Sequence, residues 1–160
     1  MSLGAGYRTR ITTVHAGKTD SGEIRRFRLR LSEEAAGTKR LILLAPIIKD
    51  SRDSGKTLLV DDLDRSLHPA LVRLLADIFR SHSVNPHGAQ LIFTSHETSL
   101  LSENILRPDQ VCFTQKSPDT GATSLYSLDK FLPGDSDGLG KEYLMGRFGA
   151  VPRIKAGEPV

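Results

Sequence analysis

Two spacings of apolar residues alternate along the chain. Between positions 23 and 31, Phe27, Leu29 and Leu31 alternate with Arg26, Arg28 and Arg30. That is the period of two of a half-buried strand, whose successive side chains leave opposite faces. A partner strand is predicted over 7–14. The turn residues Gly17-Lys18-Thr19-Asp20-Ser21-Gly22 lie between them, so 7–31 reads as an antiparallel hairpin. A loop from Ser32 then leads into a helix that begins near Gly37 or Thr38, carries the apolar run 41–48 and ends before Gly55. Leu58, Leu59 and Val60 show no periodicity, which suits a parallel strand buried on both faces. Pro69 fits the first turn of a second helix. In it Leu71, Leu74, Leu75, Ile78 and Phe79 recur at helical spacing. Asn85-Pro86-His87-Gly88 breaks the chain, and a second apolar strand covers 89–93. Strand, helix and strand in this order form a βαβ unit with a right-handed crossover.

Beyond it, a short helix is expected over 97–101. Strands at 110–115 and 124–128 flank Ser117-Pro118-Asp119-Thr120-Gly121 and make a second hairpin that extends the sheet. Residues 131–140 are loop-like, 141–148 form a helical turn, and 153–160 form a disordered tail. No repeat or linker interrupts the 160 residues, so 1–160 reads as a single partial domain.

The chemistry concentrates where the first apolar strand ends. Asp61 and Asp62 follow Val60 directly. Ligands of parallel sheets gather at the carboxyl ends of the strands, and carboxylates are hard oxygen ligands suited to Mg²⁺. The element is Walker-B-like, although acids are also common wherever a strand simply meets solvent. Because the second strand runs parallel, His96 leaves it on the same edge as the two acids. The start of the first helix, in a Gly-containing loop, offers free amides to an anion. An ordinary N-cap by Thr38 or Ser32 is the competing account. Ser54-Gly55-Lys56-Thr57 imitates the end of a P-loop, but Asp50 stands where its first glycine belongs and the segment enters a strand. Gly17-Lys18-Thr19 fails in the same way, with Thr12 in the glycine position. No Walker A motif occurs in these residues.

Composition adds little. The net charge of +3 is mildly basic, compatible with nucleic acid as a partner and equally with a solvated surface. The arginine face of the first hairpin is open to the same two accounts. Cys112 is the single cysteine, which excludes an internal disulfide and is expected as a buried structural thiol. No apolar run is long enough for a bilayer and no secretory leader is evident. A cytoplasmic protein without a membrane partner is the expectation.

Asp61-Asp62 with Ser66-Leu67-His68-Pro69, then Phe93-Thr94-Ser95-His96, resemble the Walker B, D-loop and H-switch of ABC-type ATPase heads. The likeness is to SMC/RecF-like bacterial ATP-binding proteins often described as AAA ATPases, some tied to phage defence. Residues 33–38 sit where that family carries its signature loop, and 142–152 are similar to its carboxyl end. The resemblance implies an α/β fold, a three-layer P-loop-NTPase-like partial domain. Parallel core strands would carry antiparallel hairpins at the edges, and the Walker A half would be missing. It implies ATP and Mg²⁺ as cofactors, with Asp61 holding the metal through water, Asp62 polarising the attacking water and His96 contacting the γ-phosphate. Ser66 and His68 would lie at a dimer seam, and Gly37 and Thr38 would cap the γ-phosphate held by a second subunit. The implied partner is a second copy or an intact ATPase head.

Three departures bear on this transfer: the absent P-loop, Ala35 in the place of the signature serine, and Asp62 in the place of glutamate. A displacement of about 1 Å at a reacting centre can cost on the order of a hundredfold in rate. The departures fit a part of a longer ATPase or a degenerate relative that regulates an intact one. Metal-dependent nuclease chemistry on Asp61, Asp62 and Asp64 is a third, lower-ranked reading.

Overall fold

The computed structural model describes residues 10–101, 105–131 and 138–152. The first residues of the expected hairpin (7–9), most of the 131–140 loop and the 153–160 tail lie outside them. Strand β1 (Thr12–Lys18) pairs antiparallel with β2 (Ile24–Arg30), setting His15 opposite Phe27 and Val14 opposite Arg28. Gly22 closes the turn at a φ of 84°, a conformation that a Cβ would penalise. The half-burial expected for the second strand is not observed. Only Leu29 is partly buried in β2, and Phe27 is 49% exposed. A two-stranded ribbon has no second layer to lie on.

Helix α1 (Ala36–Ser54) has Pro46 in its interior and ends at Gly55, whose φ of 64° lets its N–H reach the Ser51 and Arg52 carbonyls. Leu44, Ile48 and Ser51 form its buried side. Strand β3 (Thr57–Val60), helix α2 (Pro69–Arg80) and strand β4 (Gln90–Phe93) complete the βαβ unit, with β3 and β4 parallel and Val60 opposite Phe93. Asn85, buried between α2 and β4, donates to the Phe79 and Ala89 carbonyls at 2.8 Å each and accepts from the Ala89 N–H at 2.9 Å. Its amide therefore fixes the break that sequence composition marks as a turn.

Both helices lie on one side of the strand pair. Leu44 and Ile48 of α1 and Val72 and Leu75 of α2 share a core with Val60 and Leu63, against which Leu58, Leu91 and Phe93 pack. The expectation that β3 is buried on both faces is therefore corrected. Leu59 is 72% exposed and its neighbour Ile92 55% exposed, because no element among the described residues covers that side. Leu75 is buried as expected, but Leu74, expected on the same side of α2, is 53% exposed, and Val72 and Ala76 face inward.

Strands β5 (Cys112–Lys116) and β6 (Thr123–Ser127) form the second hairpin, followed by helix α3 (Leu139–Leu144). The hairpin does not extend the βαβ sheet; it is a separate two-stranded sheet with its own core of Val111, Phe113, Leu128, Leu139 and Phe148. Phe113 stacks on Tyr143 at 5.2 Å and on Phe148 at 5.9 Å between ring centroids. Rings at these separations add to the burial of their area. Alternation along β5 turns Phe113 inward and Cys112 outward, so the thiol expected to be buried is exposed. The helix expected over 97–101 is a single 3-10 turn, Thr98–Leu100.

Candidate functional site

The parallel register brings two strand ends to one rim, and a threonine joins them. Thr94, the residue after β4, donates its hydroxyl to Asp61 Oδ1 at 2.6 Å and accepts from the Asp62 N–H at 2.8 Å. Its backbone N–H continues the ladder to the Val60 carbonyl at 3.1 Å, and its carbonyl accepts from Leu63 at 2.9 Å. One carboxylate oxygen of Asp61 is thus oriented by the neighbouring strand. The Asp62 carboxylate has no hydrogen-bond or ion-pair partner among the described residues. His96 is held by its backbone, whose N–H lies 3.3 Å from both Asp64 carboxylate oxygens. Asp64 is thereby engaged in fixing the second strand end, which leaves it poorly placed as a third metal ligand.

Between the acids and α2 the chain turns tightly. Asp62 and Ser66 take φ values of 49° and 62°, a left-handed conformation that costs residues with a side chain roughly 1–2 kcal/mol. Aspartate accepts it more readily than most residues do. Leu63, 1% exposed, is driven into the core between Asp62 and Asp64 and anchors the turn. Backbone strain of this kind persists only where surrounding structure imposes it and is concentrated at functional sites. His68 is the N-cap of α2, its Nδ1 accepting from the Ala70 N–H at 3.2 Å. The ring is otherwise exposed.

The beginning of α1 faces this turn. A Cβ on Gly37 would lie 2.7 Å from the Ser66 carbonyl oxygen, so the helix and the 61–68 turn approach more closely than any side chain permits. Ala35 is the N-cap and makes no side-chain capping bond. Neither Ser32 nor Thr38 caps the helix, contrary to the ordinary account of this stretch. Thr38 lies within the first turn beside Gly37.

Two residues of this site have no assigned role in the sequence reading. Thr94 was legible only as part of a motif; its function follows from the register that puts it beside Asp61. Arg40 is the other. From α1 its Nη2 donates to the Asp61 and Asp62 carbonyl oxygens at 3.3 Å each, while its buried Nε finds no partner among the described residues. Its position three residues after Gly37 placed it on the same helical side, the one available signal.

Two carboxylates and no third acid, histidine or cysteine make a short donor set: among the described residues no group of three such side chains could hold a metal ion. A Mg²⁺ here would draw most of its ligands from water and phosphate, which is this ion's habit in triphosphate sites. The residues fit that arrangement, with Asp61, whose Oδ1 is oriented by Thr94, as the protein's share.

A second polar cluster ties the ribbon to the residues just before α1. Glu34, 7% exposed, accepts from Thr13 Oγ1 and lies 2.5 Å from His15 Nε2, while the His15 ring stacks on Phe27 at 5.5 Å. Thr13 first and His15 second hold the Glu34 carboxyl below its ordinary value, against burial, which acts the other way. A depressed carboxylate contributes stability above its unfolded pKa and loses it as pH falls through the folded one. Thermal unfolding across the acidic range should therefore show Tm falling with pH below the ordinary carboxylate value. In Glu34→Gln that acid limb should flatten.

An acid pair and an imidazole-bearing strand end on the rim of a parallel βαβ unit fit an α/β nucleotide-binding, ATPase-like domain. The comparison with known families agrees. The profile described as "AAA domain, putative AbiEii toxin, Type IV TA system" matches residues 20–102, just over half of the chain, from the hairpin turn through the strand end carrying His96. The chain belongs to this AAA-domain family. No curated protein and no solved structure matches it. Among the described residues, no helix is long and apolar enough to cross a membrane.

Proposed function

We propose that these residues form the Walker B, D-loop and H-switch portion of an ABC-type ATPase head that binds and hydrolyses ATP with Mg²⁺. The observation that carries the reading is the Thr94 clamp, which orients Asp61 and holds the two strand ends in one rim. In this reading Asp61 holds Mg²⁺ through water, Asp62 polarises the attacking water and His96 meets the γ-phosphate. Phosphoryl transfer asks a protein chiefly for positioning and charge neutralisation, which these groups can supply in part. Gly37, Thr38, Ser66 and His68 face a second head across a dimer seam.

The missing share is phosphate binding, and the βαβ unit has room for it. Among the described residues strand β4 pairs only with β3, and no strand pairs with its other edge. A groove of about 390 Å³ runs beside it, lined by Phe79, Ala89, Leu91, Phe93 and Ile105 among others. With Leu59 and Ile92 exposed on the uncovered side, a Walker A-bearing segment that adds a strand there completes a three-layer domain.

Calorimetry tests the reading. The 160 residues alone should bind ATP·Mg²⁺ weakly or not at all. A Walker A-bearing segment of a family member, supplied in trans or fused, should restore binding, and Asp61→Ala should remove its Mg²⁺ dependence. Tight binding by the chain alone, or no gain with the added segment, would count against the proposal. Ala35, which gives α1 no side-chain cap, favours one alternative: a degenerate module that stimulates an intact head. In that case the stimulation survives Asp62→Ala.

A further inference from the structure

The register of the first ribbon sorts its residues into two unlike faces. Thr13, His15, Phe27 and Leu29 share the side that turns toward Glu34. On the other side Arg26 stands opposite Ala16, Arg28 opposite Val14, Arg30 opposite Thr12, and Lys18 opposite Ile24. All eight of these residues are exposed. Three guanidinium groups and one ammonium thus project from one face with no carboxylate among them. Elsewhere some surface cations are paired, Lys49 with Asp53, Lys56 with Asp50, Arg107 with Asp109 and Arg147 with Glu142, while others such as Arg65, Lys116 and Lys130 stand singly and not in a row. The side chains of Arg26, Arg28 and Arg30 have no ion-pair partner among the described residues. Like charges two residues apart on a strand repel one another, and among the described residues the one carboxylate held at the row is that of Glu33, which accepts from the Arg30 N–H at 2.7 Å at its end.

We propose that this face binds the phosphate backbone of duplex DNA without reading its sequence. Alternate residues on a strand are about 6.8 Å apart, so the three arginines form a straight row matched to a rod with one phosphate per ~3.4 Å of each strand. A guanidinium offers a planar fork of donors suited to phosphate oxygens. A two-stranded ribbon fits the major groove of B-form DNA, whereas the deep, narrow major groove of A-form RNA does not admit one. Single strands are the poorer match because they need aromatic platforms for their bases. The one aromatic pair of the ribbon, Phe27 with His15, is on the opposite face. Base reading calls for Asn, Gln or a bidentate Arg supported in the groove, and the neighbours here are Thr12, Val14, Ala16 and Ile24.

Fluorescence anisotropy with a labelled duplex, at several salt concentrations and without nucleotide, tests this independently of any ATPase reading. Four cations on phosphates give a slope of log K against log salt of roughly −3 to −4. R26Q/R28Q/R30Q should bring the slope to about −1 and weaken binding tenfold or more at low salt. Arg25 lies on the other face, opposite Gly17, so Arg25→Gln should leave the slope within about one of wild type. Circular dichroism should show both variants folded, since every substituted side chain is exposed. The proposal is overturned if the duplex does not bind. It is equally overturned if Arg25→Gln costs as much as the triple variant, if a single strand of the same length binds more tightly, or if anionic vesicles bind while duplex does not.

Discussion

Leu63→Ala should destabilise the protein by about 2–5 kcal/mol, a large part of the ~5–15 kcal/mol that holds a domain of this size folded. The side chain is 1% exposed and shares the core with Leu44, Ile48, Val60 and Val72. Truncation removes its transfer free energy and leaves a cavity that two helices and a strand must close. The position makes the result more than a packing measurement. Leu63 sits between Asp62 and Asp64, and its N–H donates to the Thr94 carbonyl. It is therefore the residue by which the core dictates where the acids stand. Denaturant unfolding should show a lower midpoint with little change in slope. Hydrogen exchange should show the 61–68 backbone opening with the global transition in wild type and ahead of it in the variant. A cost under 1 kcal/mol would mean that the turn is held by its own hydrogen bonds and not by the core.

How much of this was legible in the sequence depends on whether the deciding contact is local. The end of the first helix at Gly55, the Pro69 helix start and the parallel pairing of β3 with β4 follow from a glycine stop, proline and apolar spacing, all local or nearly so. The corrections share a different cause. Leu59 and Phe27 have the residue types of buried positions, but burial needs a partner layer, and the described residues supply none over either. The apolar neighbours of Cys112 point to an inside position, and the pleat of β5 turns it out. The second hairpin stands apart from the main sheet because sequence order does not decide which edges hydrogen-bond. Within the site, Asp61, Asp62 and His96 could be placed on one rim from strand direction alone. The Thr94 clamp and the reach of Arg40 required the register and a helix position, which no spacing rule contains.

Gly37→Ala is the second large effect, and here two terms of opposite sign must be weighed. Within a helix, alanine is favoured over glycine by about 1 kcal/mol, which by itself predicts a more stable protein. The added methyl, however, would lie 2.7 Å from the Ser66 carbonyl oxygen, well inside van der Waals contact. That oxygen belongs to backbone already held at a φ of 62°, in a turn anchored by buried Leu63, so it has little freedom to retreat. Overpacking of this kind costs roughly 1–3 kcal/mol, enough to reverse the propensity gain. The expected outcome is a net loss of up to about 2 kcal/mol in denaturant unfolding, with the start of α1 displaced from the 61–68 turn. Ser66→Gly separates the two terms. Glycine relieves the left-handed conformation and lets the carbonyl move, so the double variant should recover much of what Gly37→Ala loses, a coupling of about 0.5–3 kcal/mol between the two positions. Strict additivity in this cycle would show that Gly37 is tolerated and not required. Coupling would show that a glycine next to the site exists to let helix α1 touch the turn that carries the acids. Arg40, on the same helix, could then reach the Asp61 and Asp62 carbonyls only while that contact holds.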